Sequence, residues 1–191
     1  MLAGTEFRGF LEAVHDSFKL DEADFNVFSD SRHLLVIRSG SLRIFTTFIK
    51  SVQTINPDIY FTVISHARDR VEIEEICGIT NCRVMEYMEP GNYDIKFMRD
   101  IVSQLNDQIF DCYILLFNNR SGIDYANTIE IMNELTDGPL LAFNGYHELL
   151  LMNQPRFYLK SLALLRAVAE WHWEQTTPFD ESITHMSRGL T

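Results

Sequence analysis

Hydrophobic and polar positions change period several times along this chain, and the changes divide it into elements. From residue 33 onward, short apolar runs rich in β-branched residues alternate with segments whose apolar positions recur at helical spacing. The runs predict five strands at about 34–38, 60–65, 83–88, 112–117 and 139–143, and the amphipathic stretches predict helices at about 42–55, 68–77, 93–108 and 122–135. Turn and cap residues fall between them: Asn56-Pro57-Asp58, Gly78, Pro90-Gly91-Asn92, Asp111, Ser121-Gly122 and Asp137-Gly138-Pro139. The central runs lack polar alternation, as strands covered on both faces do, so the pattern predicts a Rossmann-like α/β domain with a mostly parallel sheet between helices.

With right-handed crossovers and one reversal after the third strand, the predicted order is 3-2-1-4-5. The reversal sets the first and fourth strands side by side. Ligands of open sheets sit outside the carboxyl ends of the strands at such a reversal. The crevice is therefore expected between Ser39-Gly40-Ser41 and Asn118-Asn119-Arg120-Ser121-Gly122.

The two ends of the chain carry a different pattern. Within residues 1–20, Phe7, Phe10, Leu11, Val14 and Phe18 recur at helical spacing among Glu6, Arg8, Glu12, His15, Asp16 and Lys19, which predicts an amphipathic helix rather than a signal peptide. A long apolar helix is predicted over 154–176, along Leu159, Leu162, Ala163, Leu165, Arg166, Ala169 and Trp173. Lys160, Arg166 and Glu170 make it too charged to span a bilayer. Packing on the domain is its first expectation; dimerisation or contact with a membrane surface, suggested by the basic stem and by Trp171 and Trp173, is the alternative. The tail 177–191 is polar and expected to fray. Residues 1–191 thus read as one domain, with its core over 33–145.

Composition narrows the partners. An apolar content of 46% in 191 residues is enough for one sizeable core. The 16 basic and 27 acidic residues give a net charge of -11, which repels a phosphate backbone and disfavours nucleic acid. Three cysteines are an odd number, and Cys77-x4-Cys82 matches neither a zinc ribbon nor a familiar redox spacing. With Cys112 in an apolar strand, the thiols read as structural and the compartment as reduced and cytoplasmic.

No complete catalytic motif is present. The first turn has one glycine where a dinucleotide loop needs three, and it lacks the Lys-Ser/Thr of a phosphate loop, so no nucleotide cofactor is expected there. A helix N-terminus flanked by Arg38, Ser39, Gly40, Ser41 and Arg43 could hold an anionic group. Equally, Ser41 could cap the helix and Gly40 supply a tight turn. Asn118, Asn119, Arg120 and Ser121 suit a hydroxyl-rich or phosphate-bearing ligand and are also common turn residues. His66, after the second strand, is a weak candidate for a general base, and His147 a weaker one. Spacing places no metal cluster.

Two stretches carry a family resemblance. Leu35-Val36-Ile37-Arg38-Ser39-Gly40-Ser41-Leu42, followed by Thr46-Thr47 and by Asn56-Pro57-Asp58-Ile59-Tyr60-Phe61-Thr62-Val63-Ile64, is similar to the start of the acceptor-side half of GT-B glycosyltransferases of the family 9, heptosyltransferase-like group. Phe110-Asp111-Cys112-Tyr113-Ile114-Leu115-Leu116 resembles their fourth strand. The resemblance covers about residues 33–145 and implies a sugar or lipid-linked glycan acceptor at the strand edge. Two departures qualify what it implies. The family places an Asp base after the turn where this chain has Arg43, a side chain that takes no proton at neutral pH. Family members also resemble two Rossmann-like halves, and this chain holds one. The expectation is a glycosyltransferase-like acceptor module, inactive alone, with a donor half supplied elsewhere or absent; the terminal helices are expected to suit a partner domain or a second copy. The alternative is a non-catalytic Rossmann-like binding or interaction protein.

Overall fold

Each apolar run expected to be a strand is a strand. In the computed structural model, residues 21–105, 107–119, 125–136 and 140–152 are described. The expectations for the terminal helices at 1–20 and 154–176, for the tail, and for Arg120 and Ser121 lie outside the described residues. The elements are β1 (Asp21–Glu22), β2 (His33–Ile37), α1 (Leu42–Ile55), β3 (Tyr60–His66), α2 (Arg70–Cys77), β4 (Cys82–Tyr87), α3 (Ile95–Leu105), β5 (Cys112–Leu116), α4 (Ala126–Leu135), β6 (Leu140–Phe143) and β7 (Leu149–Met152).

They form one seven-stranded sheet in the order β1-β7-β6-β5-β2-β3-β4. The parallel section β4-β3-β2-β5-β6 has the predicted order, with β2 and β5 adjacent at the reversal. Beyond it, β7 runs antiparallel to β6, and β1 pairs antiparallel with β7. The chain is thus a Rossmann-like α/β fold with an antiparallel extension at one edge.

Alternation along each strand divides the core between the two faces. Leu34, Val36, Phe61, Val63, Ile114 and Leu116 face α1 and α2, while Leu35, Ile37, Ile64, Met85 and Leu115 face α3 and α4. On the α1 face, Phe28 and Phe48 meet edge to face at 5.8 Å, and Phe48 packs on Phe143 at 5.5 Å. α1 stops where Asn56 turns away from helical geometry before Pro57. The Asn56 side-chain amide then donates to Phe28 O at 3.1 Å and Ser31 O at 2.7 Å, tying the helix end to the segment before β2. Among the described residues no helix is long and apolar enough to cross a membrane.

At the amino end of the sheet, Asp111 fastens β5 to β2. Its carboxylate accepts from the backbone N–H of Arg32 at 2.6 Å and of His33 at 2.8 Å. Those two bonds hold its pKa below the ordinary carboxylate value. His33 packs on Phe110 and Tyr60, within 2.8 Å of the Thr62 hydroxyl, and burial lowers its pKa from 6.5 despite the nearby Asp111 charge. Both shifts act in the same direction. The unfolded chain takes up a proton at His33 below 6.5, and at Asp111 below the ordinary carboxylate range, more readily than the folded chain does. Stability contributed by each group is therefore full above its unfolded pKa and is lost as pH falls through its folded one. Urea unfolding from pH 7 to 3 is expected to show two successive declines, the upper one absent in His33→Gln and the lower one reduced in Asp111→Ala. A flat profile between pH 7 and 5 would contradict the assignment to His33.

Candidate functional site

The carboxyl edge is built around Arg38, which leaves β2 with its side chain folded inward. Its backbone N–H still donates to Ile64 O at 3.0 Å, so the residue is held to β3 after the strand ends. The side chain is buried, with 8% of the residue exposed. Burying a guanidinium requires partners for its several donors, and the fork finds three: Ser65 Oγ at 2.8 Å, Gly40 O at 3.0 Å and the Asp69 carboxylate. Arg38 is thereby committed to bracing the turn and the start of α2.

The remaining crevice residues bond across the β2–β5 seam. Ser39 Oγ donates to Leu116 O at 2.6 Å. Gly40 packs so closely on the end of β5 that a Cβ would lie 3.4 Å from three Leu116 atoms. The Ser41 side chain makes no capping bond; instead the Ser41 N–H donates to Asn118 Oδ1 at 2.8 Å. Asn118 N–H in turn donates to the Tyr125 hydroxyl at 3.1 Å. A cap for α1 is therefore supplied from across the sheet, which the residues around the turn did not disclose. Arg43 points outward on the first turn of α1 and makes no ion pair with a described residue. Asn119 sits half-buried beside Asn118.

His66 ends β3 at this edge. Its Nε2 lies 2.8 Å from Gly91 O, so that nitrogen donates to the carbonyl. The ring packs against Tyr87 at 5.4 Å and Tyr93 at 4.9 Å. His66 thus anchors the loop after β4. His147 lies elsewhere, in the β6–β7 turn, stacked on Phe143 with its backbone in the left-handed region at φ 64°.

Tyr87 and Tyr93 went unremarked in the sequence, where they read only as part of a strand and of a helix on either side of Pro90-Gly91-Asn92. Tyr93 is buried and donates its hydroxyl to Arg38 O at 3.0 Å; burial raises its pKa, so the phenol stays a donor at neutral pH. Tyr87 Oη accepts from Asp94 N–H at 3.0 Å. Asn127 of α4 donates to Tyr93 O. Beside this lattice lies a half-open cavity of about 440 Å3, lined by Asn92, Tyr93, Asp94, Ile95, Ala126, Asn127 and Glu130. Asp94 caps α3 with Oδ1 on Lys96 N–H at 2.8 Å, leaving Oδ2, and the Asn127 amide gives one of its two N–H groups to Tyr93 O, leaving its Oδ1. Glu130 is exposed and makes no ion pair with a described residue. Among the described residues no group of three or more His, Cys, Asp and Glu side chains could hold a metal ion.

No protein-family profile and no curated protein matches the chain. Solved structures do match, among them a candidate caffeoyl-CoA O-methyltransferase from Staphylococcus aureus, at 14% identity and a TM-score of 0.38 over 91% of this chain and 84% of that one. This likeness is one of general architecture. The resemblance to the acceptor half of family 9 glycosyltransferases is corrected accordingly, and with it the expectation of a sugar-transfer module: the reported structural match is described by another chemistry. The physical reason is that an apolar strand, a small-residue turn, a helix and an Asn-Pro lead into the next strand encode a β-α-β unit, which unrelated functions share.

Proposed function

We propose that the chain is a non-catalytic Rossmann-like binding module whose ligand sits in the cavity between residues 92–95 and the first turns of α4. The observation that supports this reading is the contrast between two neighbouring parts of the carboxyl edge. In the crevice, Arg38, Ser39, Ser41 and Asn118 bond one another or adjacent backbone. In the cavity, open volume faces the unspent acceptors of Asp94, Asn127 and Glu130. A cavity with surplus acceptors suits a ligand that donates, such as an aliphatic ammonium or a guanidinium.

Amide NMR titration with spermidine as the cationic probe and inorganic phosphate as the anionic one tests the reading. Spermidine is expected to shift Asn92–Ile95 and 126–130 in a saturable manner, and phosphate is not. Changing Asp94→Asn and Glu130→Gln together is expected to weaken spermidine roughly tenfold, equivalent to about 1.4 kcal/mol. Shifts confined to Ser39–Ser41 and Asn118 would move the seat back to the crevice, and the absence of any saturable shift would remove it. Chemical conversion of a bound ligand would overturn the non-catalytic assignment.

A further inference from the structure

The link between α2 and β4 brings together two thiols whose sequence spacing matches no familiar redox motif. Cys77 is the last residue of α2 and Cys82 the first of β4, joined through Gly78 and the short 3-10 turn Ile79–Asn81. Gly78, at φ 85°, makes the reversal in a conformation that favours glycine. Register fixes the direction of Cys82. It pairs with Phe61 across the β3–β4 ladder and packs into the same apolar cluster, on the face that α2 covers. The Cys77 side chain is buried in that cluster at 2% exposure, so the two thiols share the covered face at the two ends of a four-residue link.

The two sulfurs differ in access. Cys82 is half-buried on the terminal strand of the sheet, whereas Cys77 lies inside. The neighbouring Cys82 thiol and burial push the Cys77 thiol above its ordinary pKa, and Cys82, the less buried of the two, meets solutes first. Cys112 stands apart. It lies on β5, and β2 and β3 separate that strand from β4, so strand spacing alone puts it roughly 14 Å away. Disulfide geometry tolerates at most about 7 Å between Cα atoms.

We propose that Cys77 and Cys82 form a peroxide-responsive dithiol that closes to an intramolecular disulfide. The Cys82 thiolate attacks one oxygen of a hydroperoxide, the O–O bond breaks, and the departing oxygen leaves as water or alcohol after taking a proton. Cys82 becomes a sulfenic acid. The Cys77 sulfur then attacks the Cys82 sulfur, the S–O bond breaks, and the leaving hydroxide takes the Cys77 proton to become a second water molecule when the oxidant is hydrogen peroxide. Two thiols and one peroxide give one disulfide and two waters: each sulfur is oxidised by one electron and the peroxide is reduced by two. Closure pins the C-terminal end of α2 to β4, whose other half is already held by Arg70 on Glu86 at 2.5 Å.

Treating the reduced full chain with hydrogen peroxide, alkylating residual thiols and measuring the intact mass tests this directly. The expected species has lost two hydrogens and carries one alkyl group, at Cys112, with a peptide map joining residues 77 and 82. Cys112→Ser is expected to retain the bridge, and Cys82→Ala to abolish it. Three alkylated thiols after treatment, a bridge involving Cys112, cross-linked dimers, or sulfinic acid at Cys82 without a bridged form would each overturn the proposal. The wild-type map is decisive by itself should the variants fold poorly.

Discussion

Replacing Arg38 by methionine is expected to cost about 3 kcal/mol of stability, because it leaves a half-buried carboxylate and two other polar groups without the guanidinium. The loss is not one of charge alone. Ser65 Oγ, Gly40 O and Asp69 each face a different nitrogen of one planar group. Arg38→Lys is expected to recover little, since a single ammonium cannot span those three directions from a fixed backbone. A double change, Arg38→Met with Asp69→Leu, is expected to be less damaging than the sum of its parts, because it removes the stranded carboxylate with its partner. Urea unfolding of the four proteins measures these terms. A loss below about 1 kcal/mol for Arg38→Met would mean that the side chain is free to serve a ligand.

Gly145→Ala is expected to cost about 3 kcal/mol, at the upper end of what overpacking does, because the obstacle is backbone. An added Cβ would meet Asn118 O at 2.1 Å and Asn118 C at 3.0 Å, so either the β6–β7 turn or the exit of β5 must move. Gly78→Ala is the informative comparison. Nothing lies within 4 Å of a Cβ there, and its cost, about 1 kcal/mol, comes from backbone conformation alone. Equal losses at the two positions would refute the steric account. Displacing Asn118 should also loosen the cap on α1, so Gly145→Ala is expected to raise amide exchange at Ser41.

The parallel section of the sheet was legible in the sequence because burial on both faces writes unbroken apolar runs, and the intervening helices write a different period. The antiparallel extension was not. Leu149-Leu150-Leu151-Met152 has no β-branched residue and no alternation, and β1 spans two residues; both are strands because a neighbouring strand receives them. The crevice at the β2–β5 reversal followed from the strand order, whereas the cavity beside Asp94 and Asn127 did not. Nor did the internal bonding of this edge, since the bonds joining Ser41 to Asn118 and Tyr93 to Arg38 cross 77 and 55 residues. Close approach to Asn118 is what requires Gly145, and nothing in the residues around it announces that contact. The sugar-transfer reading failed for a related reason: the residues that carried it were those the fold itself demands.

The bonds that close the sheet also impose an order on folding. Arg32 and His33 at the foot of β2 wait for Asp111, and Ser39 and Ser41 at its head wait for Leu116 and Asn118, across separations of 77 to 79 residues. During synthesis, a nascent chain that has reached only α3 can pair β2 with β3, but Leu34–Ile37 would remain an open, apolar edge. Such distant closures are slow, and an unpaired strand of this kind invites intermolecular pairing until they occur. The first half of the chain is therefore held in suspense by the second, and the arrival of residues 111–118 is the event that commits the sheet.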